Sequence, residues 1–183
     1  EGVARHAAFL LRTVGPDAAP TLLGALTEEG ARVDQIAAEL AQIGRPIVGL
    51  LTRSLQAPEP RVRRGAALAL GQIRPLPADA VKTLTAGLND PDPEVRGAFL
   101  AAIGHLGPRE KGALSAVRAR LKDESPEIRR QAIDVLSRSA PRDDQLVSDL
   151  TALLDDADPQ VQCRALQVVR SLGPLSRAAV PAA

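Results

Sequence analysis

The side chains best suited to chemistry are few and scattered. Two histidines, His6 and His105, stand about 100 residues apart, and one cysteine, Cys163, has no second thiol to pair with. A hydrolytic triad or a metal set needs such groups converging within bonding reach, and neither can be assembled from these. Cys163 precedes Arg164 near the start of a proline-led helix, where a thiolate would be favoured, but alone it reads as a spare thiol. No Gly-x-Gly-x-x-Gly and no P-loop occurs. Arginine is the one chemically capable residue that recurs, at Arg61, Arg63, Arg64, Arg129, Arg130 and Arg164. Recurrent arginines could neutralise a nucleic-acid backbone. Reading bases, however, takes stacking aromatics, and the chain has no Trp, no Tyr and only Phe9 and Phe99. Its 23 basic residues face 22 acidic ones, so the net charge of +1 supplies no attracting field. Nucleic acid is therefore not expected as a partner, and no catalytic residue, metal or cofactor is expected.

The elements that carry these residues repeat. Pro60, Pro93, Pro126 and Pro159 stand 33 residues apart, each followed two positions later by Val62, Val95, Ile128 or Val161. Leu55, Leu88, Leu121 and Leu154 share one phase of the same period. Val48, Val81, Leu114 and Val147 share another, and Leu70, Ile103, Leu136 and Val169 a third. A fixed period of this size marks a stacked repeat. Within a unit, Val81, Leu84 and Leu88 fall on one face of a first helix, and Val95, Phe99, Ile103 and Leu106 on one face of a second. Asp92–Pro93 between them is a helix start, because Asp caps the free N–H groups and Pro loses nothing at the first helical position. Glu59–Pro60, Ser125–Pro126 and Asp158–Pro159 are expected to act likewise, and Gly107–Pro108 stops the second helix. Each helix should be about 12 residues long, roughly 18 Å.

Five pairs result, at about 19–44, 46–74, 79–107, 112–139 and 145–172, with a tight connection at Gly44–Pro46 shortening the first. Residues 3–14 read as a second helix without its partner, and Ala179–Val180–Pro181 as the start of another first helix. The 32 alanines suit many small helix–helix contacts. The expectation is a single array over residues 1–183, cut from a longer one whose parent chain carries other domains. No run approaches 18 apolar residues, so no membrane insertion is expected. No signal peptide is visible, and the single cysteine needs no oxidising compartment, which favours the cytoplasm without fixing it.

The motif Asp92-Pro93-Glu94-Val95-Arg96, followed by an alanine-rich helix ending Gly104-His105-Leu106-Gly107-Pro108, resembles the HEAT repeat. The likeness is greatest to the short bacterial variety also found in phycobilisome lyases. It implies an all-α fold, an α-solenoid (superhelix) of about five two-helix HEAT-like repeats, armadillo-like, with partial repeats at both ends. It also implies a structural ladder, in which an acid of the inter-helix turn (Asp90, Asp123, Asp156) pairs with an arginine early in a second helix (Arg63, Arg96, Arg129). Arginine in a first turn faces the positive end of the helix dipole, so its recurrence there asks for a compensating acid. The fit lapses at Ala57 and Gln162. The His–Glu pairs of HEAT-type iron hydroxylases are absent.

In HEAT-like stacks the second helices line the concave surface. With Val62, Ala66, Leu70 and Ile73 as the core phase, the opposite phase should face the groove. It comprises Arg64, Leu68 and Gly71, then Gly97, Ala101 and Gly104, then Arg130, Asp134 and Ser137, then Cys163, Gln167 and Arg170. The expected floor is apolar at Leu68 and Ala101 and charged at Arg130 and Arg170, suited to an amphipathic segment of another protein. The function expected is a non-catalytic protein–protein interaction scaffold. The alternatives are a lyase-like enzyme or enzyme subunit, for which no bilin site is evident, and a clamp on nucleic-acid backbone.

Overall fold

The computed structural model describes residues 15–107, 111–139 and 143–172, and among these the regular structure is entirely helical. The segments 3–14 and 179–181 lie outside the described residues. The chain forms two compact units, residues 1–105 and 106–183.

Unit 1 holds α1 (Ala19–Ala25), α2 (Val33–Ile43), α3 (Val48–Ser54), α4 (Pro60–Leu70), α5 (Ala78–Ala86) and α6 (Pro93–Leu106). Each odd-numbered helix is the first of a pair, and each even-numbered one the second. The second helices α2 and α4 lie side by side, and α3 packs on both α4 and α5. Leu26, Leu40, Leu51, Leu70, Leu84, Leu88 and Phe99 are wholly buried there. At the tight connection Gly44 takes φ +76°, a conformation that glycine adopts without steric cost.

Unit 2 holds α7 (Lys111–Ala119), α8 (Pro126–Ser139), α9 (Asp144–Thr151) and α10 (Pro159–Ser171). The second helices α8 and α10 pack on each other, and each also packs on the first helix of its own pair. Ile128, Ile133, Leu136, Leu146, Leu150, Val161 and Val169 form the core. Of the three repeating apolar columns only one member departs. Leu154 is half-buried and Leu153 is buried in its place, where the chain after α9 forms turns instead of a 3-10 helix.

First helices are shorter than the expected 12 residues. α5 has 9 and α7 has 9, each finishing in a 3-10 turn, Gly87–Asn89 and Arg120–Lys122. Winding into 3-10 tightens the chain before it reverses. Gly87 also opens room for the Phe99 ring, since a Cβ there would lie 2.2 Å from it. Second helices run from 11 to 14 residues.

The expected capping device is present at two of the Pro-led helices. Asp92 Oδ1 accepts from the Glu94 and Val95 N–H groups at 2.8 and 3.2 Å, and Asp158 Oδ1 from those of Gln160 and Val161 at the same distances. Glu59 departs from the expectation: its side chain makes no cap, and its carbonyl receives Val62 N–H instead. Its extra methylene carries the carboxylate past the N–H groups that Asp reaches.

Candidate functional site

The turns between first and second helices are built by carboxylates that serve two repeats at once. Asp90 Oδ1 accepts from Asp92 N–H at 3.0 Å and Asp156 Oδ1 from Asp158 N–H at 2.9 Å, folding each turn onto its cap. From the preceding second helix, Arg63 grips Asp90 with two parallel bonds, Nε–Oδ2 at 2.7 Å and Nη2–Oδ1 at 2.8 Å. Arg129 grips Asp156 in the same way, at 2.8 and 2.6 Å. Each guanidinium also donates Nη1 to its own turn, to Ala57 and Pro58 carbonyls from Arg63 and to Asp123 and Glu124 carbonyls from Arg129. An arginine thus closes one turn and anchors the next.

Burial alone would raise the Asp90 carboxyl, but the Arg63 and Asp92 hydrogen bonds hold it below the ordinary aspartate value. The Arg129 hydrogen bond does the same for Asp156 against a smaller burial effect, helped by Asp158 N–H. Both arginines are correspondingly raised, first by those hydrogen bonds. Arg96 is buried and donates Nη1 to the Asp90 and Pro91 carbonyls at 2.9 and 3.1 Å. Asp123 is buried too, receives Ser125 N–H at 3.1 Å and stands 3.4 Å from Arg120. At Gln162, where an arginine would continue the series, Nε2 still closes its own turn on the Asp156 carbonyl at 2.7 Å.

On the second helices of unit 1, Arg64 stands between Asp34 of α2 at 3.3 Å and Glu94 of α6 at 3.5 Å. The Arg64 side chain is 30% exposed, whereas those of Asp34 and Glu94 are 76% and 77% exposed. Beside it lies a cleft of 360 Å³, lined by Thr27, Glu59, Pro60, Arg61, Arg64, Asp92, Glu94 and Val95. Leu68 is half-buried and Ala101 exposed. Gly71 does not face a groove as expected. It is buried against α6, where a Cβ would lie 2.7 Å from the Ala102 Cα, because the C-terminal end of α4 closes onto the neighbouring second helix.

Most candidate residues of unit 2 are bonded across the seam between α8 and α10. Arg130 donates to Glu127 on its own helix and to Gln160 on α10. Arg164 of α10 pairs with Asp134 of α8 at 2.5 Å and donates to Gln167 Oε1 at 3.1 Å. Gln167 Nε2 in turn points at Cys163 Sγ, 3.7 Å away. Asp134 and Gln167 are therefore joined through Arg164 in one hydrogen-bonded set between two helices, Arg130 belongs to a separate set with Glu127 and Gln160, and Arg170 is exposed and forms no ion pair among the described residues. His105 is exposed as well.

Asp34, Glu94 and Gln160 were not singled out from sequence, yet a signal for them exists. Asp34 to Arg64, Arg64 to Glu94, Arg130 to Gln160 and Asp134 to Arg164 are each separated by 30 residues. That is one repeat less one helical turn, the diagonal reach between adjacent second helices. Among the described residues no group of three His, Cys, Asp or Glu side chains could hold a metal ion, and no helix is long and apolar enough to cross a membrane.

Residues 81–170 match the family model described as HEAT repeats. No curated protein matches the sequence. Among solved structures, the complex of CpcE and CpcF of phycocyanin lyase from a Nostoc species is similar at 23% identity and a TM-score of 0.71, over 83% of this chain and 98% of that one. Kap95p, solved with RanGDP, is similar at 17% identity and a TM-score of 0.64, over 91% of this chain and 24% of its own length. A designed armadillo repeat protein is similar at 20% identity and a TM-score of 0.52, over 87% and 89%. At these identities the likeness establishes the fold, an all-α solenoid of the HEAT and armadillo kind.

Proposed function

We propose that this chain, whose residues 81–170 are HEAT repeats, is an interaction scaffold that holds a segment of another protein against the second-helix face of unit 1. The observation that carries the reading is the open 360 Å³ cleft at the starts of α4 and α6, with both signs of charge on its walls and Leu68 and Ala101 on the same helices. Exposed ion pairs such as those of Arg64 are worth about 0–1 kcal/mol, so Asp34 and Glu94 can release it to a partner's carboxylate at small cost. The released Glu94, together with Glu59, can then receive a cation. A segment with an apolar side and mixed charge fits such a face.

The test is a comparative pull-down from native lysate with wild type and an Arg64→Glu, Ala101→Glu double variant. A partner retained by wild type and lost by the variant, at equal melting temperature, supports the reading. The same partners on both would place binding elsewhere on the protein.

A second reading, a lyase-type subunit, draws support from the likeness to a phycocyanin lyase subunit over nearly that chain's whole length. Its mark would be a changed bilin absorbance on mixing with the protein, which the scaffold reading does not expect. Sub-micromolar affinity for random duplex DNA at physiological salt would instead favour the backbone clamp.

A further inference from the structure

At the seam between the first pair, α1 and α2, and the second, α3 and α4, both halves of the buried anchor are replaced. Leu22, Leu26 and Val33 stand 29 residues before Leu51, Leu55 and Val62, and all six are buried, which sets the register of the first pair on the second. In that register Asp34 of α2 takes the place of Arg63, the arginine that closes its own turn and grips Asp90. The acid is replaced as well, because Ala57 stands 33 residues before Asp90. Asp34 suits α2 locally: that helix starts with no side-chain cap, and a carboxylate in its first turn offsets the dipole.

Two arginines of α4 link this seam from the opposite side. Arg63 Nη1 closes its own turn on the Ala57 carbonyl, and the carbonyl 29 residues earlier, that of Glu28, receives Arg61 Nη1 from the next repeat at 3.0 Å. Arg64 Nη2 reaches both oxygens of Asp34 at 3.3 Å. Between the second and third pairs the polar anchor is nearly buried and bidentate, Arg63 being 12% and Asp90 8% exposed. Between the first and second pairs Arg61 is exposed and Asp34 is 76% exposed. Salt and water weaken such open links far more than a buried bidentate pair. Apolar contact continues across the seam, with Leu26 so close to Gly65 that a Cβ there would lie 2.6 Å from Leu26 Cδ1. Arg61 and Arg64 also line the 360 Å³ cleft, together with Thr27 of the first pair. We propose that this seam is a joint: the first pair parts from the second more readily than the second from the third, with Arg61 and Arg64 as its latches. Parting the joint moves Thr27 away from the two arginines and widens the cleft, whether or not a protein segment binds there.

Hydrogen exchange of the whole chain, read peptide by peptide by mass spectrometry at fixed pH, tests the joint. Raising NaCl from about 0.05 to about 0.5 M should speed exchange in α1 and α2 and leave α5 and α6 unchanged. At the lower salt, Arg61→Ala with Arg64→Ala should speed α1 and α2 by at least about threefold, the scale of two open links, again without effect on α5 and α6. The buried anchor can also be installed, because Ala57-Pro58-Glu59-Pro60 differs from Asp90-Pro91-Asp92-Pro93 at only two positions. Ala57→Asp with Asp34→Arg should slow α1 and α2 by at least about tenfold and remove their salt dependence. Exchange in α1 and α2 that ignores both salt and the loss of the two arginines would overturn the proposal. So would an installed anchor that leaves α1 and α2 as fast as before in a chain of unchanged helical content. Acceleration of α5 and α6 along with α1 and α2 would show unit 1 opening as a whole, and the joint would fall.

Discussion

Replacing Arg63 by glutamine separates the two tasks that this side chain performs. Gln162 provides the template: an amide at the equivalent position still closes its own turn, through one bond to the Asp156 carbonyl. Arg63→Gln should therefore keep a link to the Ala57 or Pro58 carbonyl and lose both bonds to Asp90. With Arg63 at 12% and Asp90 at 8% exposure, the abandoned carboxylate stays largely out of water, held by Asp92 N–H alone. Breaking a buried pair from one side costs about 3–5 kcal/mol, and the residual N–H bond favours the lower end, about 3 kcal/mol. Arg63→Gln abandons one of the two turn carbonyls and Arg63→Ala both, each worth about 1 kcal/mol, so the totals are about 4 kcal/mol for glutamine and about 5 kcal/mol for alanine. Arg63→Gln with Asp90→Asn should recover part of the first loss, because no buried charge is then left unpaired. Urea denaturation followed by circular dichroism would read all three. A loss under about 0.5 kcal/mol for Arg63→Gln, or equal losses for glutamine and alanine, would refute the division of labour.

Further outcomes follow from the same packing. Leu88→Ala and Leu121→Ala empty buried sites and should cost about 2–5 kcal/mol, while Arg64→Ala and Gln167→Ala should stay within about 0.5 kcal/mol in the same denaturation assay. Gly71→Ala should lower the melting temperature although alanine is the better helix former by about 1 kcal/mol, because the new Cβ meets the Ala102 backbone. Asp90 and Asp156 are held below their ordinary values in the folded chain, so the unfolded chain takes up protons first on acidification. Their contribution is complete above the unfolded pKa of about 3.9 and is lost as pH falls from there through the lower folded values. A melting-temperature profile in that window should be steeper for wild type than for an Asp90→Asn, Asp156→Asn double variant.

The period of 33 made the helix pairs and buried columns legible, because each column is a packing position repeated by the stack. Leu88, Leu121 and Ile103 could be placed without coordinates for that reason. The exposed phase was harder to read. Gly71 shares its approximate helical phase with Arg64 and Leu68, yet it is buried, since contact between neighbouring second helices covers part of what one helix alone would present. Charge was harder still. Arg130 and Asp134 look like free surface groups when α8 is read singly, but their partners lie 30 residues away on α10. A helical wheel compares residues within one helix, whereas these bonds run diagonally between two.

This diagonal bonding also bears on how such a stack could tolerate change on its working face. The anchors that fix one repeat to the next sit at the turns, where Arg63 and Arg129 are nearly buried and bidentate. The outer pairs are of another kind: Arg64 faces two carboxylates that are three-quarters exposed, bonds that water can replace with little loss. On the proposed reading, stability and recognition fall to different arginines one residue apart on the same helix. Arg63 holds the next repeat and Arg64 faces the cleft. Reversing the charge at Arg64 should alter what the face binds and leave the melt nearly unchanged, whereas the same reversal at Arg63 would set a carboxylate against Asp90 and loosen the repeat itself. If both reversals lowered the melting temperature equally, the two roles would not be separable and the cleft would be part of the framework.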